Sequence, residues 1–578
     1  MKNKIIIILV LLMTLSLFTG CKKGGNVTPS PSASVTPTNA GGNVSASPTS
    51  GDYNFAIGKY EKNEEGWPKS KYVYDLPLSR TNETFSLWTV SYTPQYLPED
   101  GYAGLGMYKG MREKTGVNIN YNLVSAATRS ENFATLIASD ALTDIISQGA
   151  YFFTSGTLQD AVDDDYFANL YPYLDYMPNY CWELYNRSRN SDILDSAFYA
   201  DDTVVSILGL YSTPLTATGY FLRQDWMDKL NLGKAQDLVT FDDLHSVLTS
   251  FKTAYGAEGR YPMMIFSAFE LQPVNFVGFN TTPYSARLSY VRVRDGKVEF
   301  CGTTSDDREL MTMLNAWWNE GLIDPNYGSY TDITVMTSQL AAGNLGYVNF
   351  TPSQIQANES ACVDTDCRYE PTRRLKRTAD QIIQWGLKPN NITYGSCTVS
   401  AKCRNLPLIA TYIDWMYSDE GSDWTNWGPE GEIWTYNDKG EKQLTDFALN
   451  HEAGTAWLQD CFTYNELADA GIQIWTRNYA YPGGERFVDM YKTWEVPDYG
   501  GAYDWPAGAK FTSEQQNEIN SLFDDVNTYF TENFIRFFSG DKPFSEWDSY
   551  VGEINGLGLA RITEIYQEAY DAYKAKKT

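Results

Sequence analysis

The chain has 578 residues, more than one hydrophobic core usually serves, so two or more packed units are expected. Its 45 Lys and Arg against 72 Asp and Glu leave a net charge of −27, which repels nucleic acid and anionic lipid headgroups. Only two histidines, His245 and His451, are present, which argues against Ser-His-Asp or Cys-His nucleophilic catalysis and against a His-rich metal site.

Residues 1–21 read MKNKIIIILVLLMTLSLFTGC. Lys2 and Lys4 precede an apolar run from Ile5 to Phe18 that is shorter than the roughly 20 residues a spanning helix needs, and small residues lead into Cys21. The segment resembles a bacterial lipoprotein signal, with 1–20 as the signal peptide and Cys21 as the lipidated residue; an uncleaved membrane helix is the alternative. Two or three acyl chains, at roughly 0.8 kcal/mol per buried methylene, anchor firmly where one chain alone is marginal. Residues 26–51 are Ser, Thr, Pro, Gly, Asn, Ala and Val without charge or aromatic ring. Residues 21–51 therefore read as an anchor and a flexible tether with an r.m.s. reach of about 25 to 30 Å.

Globular sequence follows. TFSLWTV from Thr84, a helix around GLGMYKGMREKTG stopped by Gly116, and the strand VNINYNLV come first, then a helix in SENFATLIASD capped by Ser130 and the buried strand DIISQGAYF. Strand and helix alternating at this spacing predict an α/β unit with a parallel sheet. Ligands of such sheets gather at the carboxyl ends of the strands, which points to Trp88, Ser91 and Tyr92, and to Gln148 and Tyr151. A second α/β set starts near residue 203 with TVVSILGLYST and TGYFLRQDWMDKLNL. Thr240 and Asp243 have capping-box spacing, and His245 lies within the helix they open. Asp295-Gly296 marks a hairpin, Gly321 stops a helix in DDRELMTMLNAWWNEGLI, and IWTYNDKGEKQLT is another hairpin. The last 65 or so residues are mainly helical, with an apolar stripe through Val551, Ile554, Ile562, Ile565 and Ala569.

Seven cysteines remain after Cys21, an odd number that cannot all pair internally; Cys362 and Cys367 are spaced to close a small loop, and no CxxC pair exists. No Walker motif, GxGxxG after a strand, HExxH or EF-hand loop is present, so no cofactor or metal is assigned. With 16 Trp and 42 Tyr, aromatic rings exceed what a core of this size needs. Such rings often stack on the apolar C–H face of a pyranose, although core filling accounts for most of them.

Several segments together resemble the family 1 extracellular solute-binding proteins, the lipoprotein receptors of carbohydrate ABC importers. They include KTGVNINY, IASDALTDIISQGAYF, YFLRQDWMDKLNL with TFDDLHSVLTSFK, WWNEGLIDPNY, SQLAAGNLGYVNF, the stretch from Val399 to Trp434 and the C-terminal helices from Phe537. The resemblance implies an α/β fold of two lobes, periplasmic-binding-protein-like type II, with a helical C-terminal region. One lobe would take 84–205 plus about 395–440, and the other 206–394 plus about 441–578. It also implies an oligosaccharide held between the lobes, delivery to ABC permease subunits, membrane attachment through Cys21 on the extracellular face, a monomer, no nucleic-acid partner and no catalysis. Carried onto this sequence, the ligand contacts would come from Trp88, Gln148, Tyr151, Tyr211, Phe269, Asn275, Asn349, Phe350, Trp434, Trp475, Trp494 and Trp505. Three other readings are open: a cell-surface glycoside hydrolase with a carboxylate pair in its cleft, a receptor for peptides or another solute, and a receptor that signals to a membrane sensor.

Overall fold

The computed structural model describes residues 51–578 apart from Tyr92, 189–191, 214–218, 266–275, 282–290, 327–332, 387–391, 452–453, 475–483 and Thr578. The signal segment, Cys21, the tether up to residue 50, Tyr92, Phe269, Asn275 and Trp475 lie outside the described residues.

The strands are Thr84–Val90 (β1), Asn118–Val124 (β2), Ile145–Ser147 (β3), Ser206–Tyr211 (β4), Gly219–Arg223 (β5), Tyr261–Met263 (β6), Val291–Arg294 (β7), Lys297–Phe300 (β8), Leu345–Phe350 (β9), Tyr369–Pro371 (β10), Ile392–Val399 (β11), Trp434–Tyr436 (β12), Lys442–Leu444 (β13) and Ile472–Gln473 (β14). Six form one sheet in the order β14-β4-β11-β3-β1-β2, and four form a second in the order β10-β5-β9-β6. The strand period of two sends Phe85 and Leu87 of β1 into a core shared with helices Gly106–Thr115 and Leu406–Trp415, while Trp88 enters a second core with Phe133, Ile146 and Phe167 on the opposite face. In the second sheet Tyr220 and Leu222 face one core and Phe221 the other. Each sheet is therefore covered on both sides, which makes each the centre of a lobe.

The first sheet is mixed rather than parallel. β1, β2, β3, β4 and β14 run one way and β11 runs against them. β11 follows the second lobe in the chain, so it enters the sheet at the edge where its neighbours end. The chain passes between the sheets three times, after β4, before β11 and after β14. The lobe boundaries differ from those read from sequence, because β4 lies inside the first sheet and Trp457, Leu458, Phe462 and Tyr464 pack in the first lobe's core. The first lobe thus takes 206–211 and extends from 440 to 473. Its last strand, β14, is two residues long and shows no periodicity; it is continued by Asn426, whose Nδ2 donates to Ile472 O at 2.7 Å and whose Oδ1 accepts from Ile474 N at 2.9 Å.

Local signals read from sequence reappear as geometry. Thr240 and Asp243 form a reciprocal capping box on Phe241–Tyr255, and Asp295 and Gly296 take positive φ values of 52° and 78° in the β7–β8 turn, where strand twist demands them. Ser130 does not cap its helix: a short turn leads directly into Arg129–Ala138, so the cap position falls on Thr128. Gly116 ends the helix Gly106–Thr115 at φ 69°, and a Cβ there would overlap Ser79 O. Gly116→Ala is expected to lower unfolding stability by about 2 kcal/mol or more, checked by urea denaturation; an unchanged midpoint would contradict the close packing. The C-terminal helices Ser513–Ser539, Trp547–Ile554 and Ala560–Lys577 cover the second lobe with Phe530, Phe537, Ile554, Ile562 and Ile565. They also touch the first lobe, where Ser513 donates to Asp160 and Tyr573 Oη to Asp195 at 3.3 Å. Among the described residues no helix is long and apolar enough to cross a membrane.

Candidate functional site

Five strands of the first sheet end on one edge, so the residues after β1, β3 and β4 form a rim. In the second sheet the ends of β6, β9 and β10 and the start of β5 share one edge. The crossing from β4 to β5 leaves the first of these edges and arrives at the second, which sets the two rims at the junction between the lobes.

At the first rim β3 stops abruptly. Gln148 adopts φ 54° and the short helix Gly149–Phe152 begins, with Gly149 packed so closely on the Thr398 side chain that a Cβ would overlap it. The Ser147 hydroxyl donates to Asp469, Gln148 Nε2 donates to Asp469 Oδ1 at 3.3 Å, and Arg129 Nη2 donates to Ser147 Oγ at 3.2 Å. Burial pushes the Asp469 carboxyl up to about 6, against the opposing pull of its Ser147 and Gln148 hydrogen bonds and of Arg129. The Arg129 guanidinium lies 4.7 Å from the Phe152 ring and 5.6 Å from that of Trp88. Tyr151, edge-on to Phe152, is 60% exposed.

Beside it, the loop after β1 is tied to the helix Gly454–Cys461. Asp460 accepts from Ser91 Oγ at 2.9 Å, Thr93 N at 2.9 Å and Tyr102 Oη at 3.2 Å. A buried carboxylate with this many donors holds the loop in one conformation.

The predicted residues fall into distinct places. Gln148, Tyr151 and the buried Tyr211 lie at the first rim; Tyr211 O accepts from Arg187 Nη1 at 2.7 Å. Asn349 and Phe350 close β9 at the second rim. Trp494 is buried beside Gly219 at the entrance to β5, edge-on to Phe221, with the Arg374 guanidinium 5.4 Å from its ring. Trp88 is a packing residue, 1% exposed beneath the first rim, and its Nε1 donates to Asn132 Oδ1 at 2.8 Å. The Trp434 ring is occupied by Trp427 and by Lys442 Nζ at 4.1 Å, and Trp505 packs on Tyr566 and Tyr570 of the last helix. Sequence reasoning missed Arg129, Asp460 and Asp469. The only trace of Asp469 is the turn signal Asp-Ala-Gly after a helix, and Arg129 left none.

Two sheet-centred lobes joined by three crossings make a fold shared with solved structures of solute-binding proteins. No family model matches the chain. It is 24% identical over 373 residues to the fructooligosaccharide ABC transporter substrate-binding protein FusA of Streptococcus pneumoniae, an alignment that covers 62% of this chain and 66% of that relative. The solved structure of FusA in complex with kestose superposes at a TM-score of 0.64 with 19% identity, over 85% of this chain and all of that one. An HMO-binding ABC-transporter-associated solute-binding protein from Bifidobacterium longum infantis superposes at 0.66 with 17% identity, over 85% of this chain and 99% of that one.

Proposed function

We propose that this chain captures an oligosaccharide between the two rims and presents it to the permease of an ABC importer, held at the outer membrane face by lipid on Cys21 and by the tether. The observation that carries this reading is the first rim, where an exposed tyrosine ring stands beside a fixed amide and a buried carboxyl–guanidinium cluster. Tyr151 offers a surface for a sugar C–H face, and the Gln148 amide, oriented by Asp469, offers hydrogen bonds to hydroxyls. From the other lobe Asn349 completes the contact, and Tyr211, Phe269, Asn275 and Trp475 are further candidates, while Phe350 and Trp494 are buried together in the core on one face of the second sheet. Trp88, Trp434 and Trp505 are packing residues and are not proposed as contacts. The similarity to FusA and to the HMO-binding protein supports an oligosaccharide as the ligand class.

No bond is broken in this mechanism. A ligand that touches both lobes binds the closed arrangement better than the open one and shifts the population toward it by the difference in affinity. The closed form is then the species the permease distinguishes. Titration calorimetry and tryptophan fluorescence against kestose, longer fructooligosaccharides and human milk oligosaccharides test the proposal, with binding at about 1 μM or tighter to at least one panel member expected. Affinity for a peptide and for no sugar would overturn the ligand class, and shortened products would overturn binding without catalysis.

A further inference from the structure

We propose that Cys362 and Cys367 are a modification site: on the oxidising outer face they join in a disulfide that staples the loop between helix Pro352–Ala361 and β10. The backbone bends and turns over the residues between them. Cys362 caps the helix, its N–H donating to Glu359 O at 3.3 Å, and a turn follows in which Cys367 N donates to Asp364 O at 3.0 Å. The two cysteines flank this turn five positions apart, and both side chains are partly exposed, whereas the other five described cysteines are buried.

The loop is held independently of the sulfurs. Asp364 pairs with Arg223 at 2.8 Å and with Arg260 at 2.7 Å, Asp366 pairs with Lys229 at 2.9 Å, and Val363 N donates to Ala341 O at 2.8 Å. With both ends anchored, closing the bond requires little further ordering, the condition under which a cross-link adds stability rather than strain.

The oxidant is a small-molecule or protein disulfide. The Cys362 thiolate attacks one of its sulfurs and releases one thiolate, leaving a mixed disulfide; the Cys367 thiol then loses its proton and displaces the second thiol, so two protons and two electrons leave the chain and the oxidant is reduced to two thiols. Burial holds the Cys367 thiol above its ordinary range, with Arg223 opposing, which suits Cys367 to the second, intramolecular step rather than the first. The loop and the start of β10 lie at the end of the second sheet opposite the rim, next to Arg223 at the end of β5. The staple therefore leaves ligand affinity unchanged and is independent of the sugar reading.

Trypsin provides a direct test, because the peptide from Glu309 to Arg368 contains these two cysteines and no others. The full chain is isolated from the membrane with a maleimide present, then digested with and without reduction; a second sample of the reduced chain is treated with oxidised glutathione first. The expected peptide carries no maleimide, is lighter by two hydrogens than the dithiol form, and takes up two labels only after reduction. Cys362→Ser leaves Cys367 open to labelling, and the thermal midpoint of the oxidised wild type falls on reduction while that of the double serine variant does not move. Labelling of both cysteines without reduction in both samples, or a bond from either one to a different cysteine, would overturn the proposal.

Discussion

Replacing Asp414 with Ala is expected to lower unfolding stability by about 3 to 5 kcal/mol, the largest single effect this structure predicts. Asp414 is fully buried in helix Leu406–Trp415, where it accepts from Tyr74 Oη at 2.7 Å, Asn179 N at 3.2 Å, Asn179 Nδ2 at 3.0 Å and Tyr180 N at 2.7 Å. It joins the segment before β1, the start of helix Pro178–Ser188 and the first lobe's core. Alanine strands three buried donors at once, Asn179 N, Asn179 Nδ2 and Tyr180 N, and leaves Tyr74 Oη only its longer bond to Tyr176 O at 3.2 Å. Burial pushes the carboxyl up to about 7, its hydrogen bonds pulling the other way. The folded state therefore holds this proton more tightly than the unfolded chain does. The stability it contributes is complete below about pH 4 and is lost as pH rises through 7. Asp469, raised to about 6, adds a decline of the same sign over a narrower window. Asp414→Asn keeps the shape and removes the titrating group, so its stability is expected to fall less steeply between pH 4.5 and 7 than that of the wild type. Urea denaturation at several pH values measures this, and equal slopes for the two proteins would refute the assignment.

Tyr151→Ala is expected to weaken oligosaccharide binding about tenfold, or about 1.4 kcal/mol, with an unchanged thermal midpoint. Its ring is 60% exposed and lies edge-on to Phe152, so removal costs the fold little and costs a stacked sugar its platform. Asp469→Ala has a different signature. It releases Ser147 and Gln148 together and removes a negative charge near Arg129, so affinity and stability fall together, with affinity lowered by about tenfold or more. A Phe at position 151 retains most of the affinity, because the ring remains. Calorimetry on the three variants with the best ligand found for the wild type separates these outcomes; a Tyr151→Ala protein that binds as tightly as wild type would remove this ring from the site.

How far the site was legible follows from how far each residue's role is local. Gln148 and Tyr151 were found because a short apolar run ending in Ser-Gln-Gly reads as a strand end, and strand ends in α/β sheets face ligands. Asp469, the partner of Gln148, lies 321 positions from it along the chain and meets it only because β14 pairs beside β4. The resemblance offers five tryptophans as contacts, of which Trp88, Trp434, Trp494 and Trp505 fall within the described residues. Their uses diverge by environment: Trp88 and Trp494 are buried under the rims, Trp434 is sandwiched against Trp427 and Lys442, and Trp505 lies on the last helix. A ring that fills a core and a ring that stacks on a sugar have the same side chain, and only packing tells them apart.

By itself the sequence determined what short-range physics controls. The capping box at Thr240, the hairpin at Asp295-Gly296, the helix stop at Gly116 and the apolar stripe from Ile554 to Ala569 each depend on a few neighbouring residues, and each stands in the structure where the pattern put it. The tertiary structure alone decided which segments share a lobe, the reversed direction of β11, the placing of 440–473 with the first lobe, and the joining of Arg129, Ser147, Gln148 and Asp469. These depend on pairings between distant parts of the chain, whose stabilisation comes from burial and hydrogen bonds that exist only once both partners have arrived.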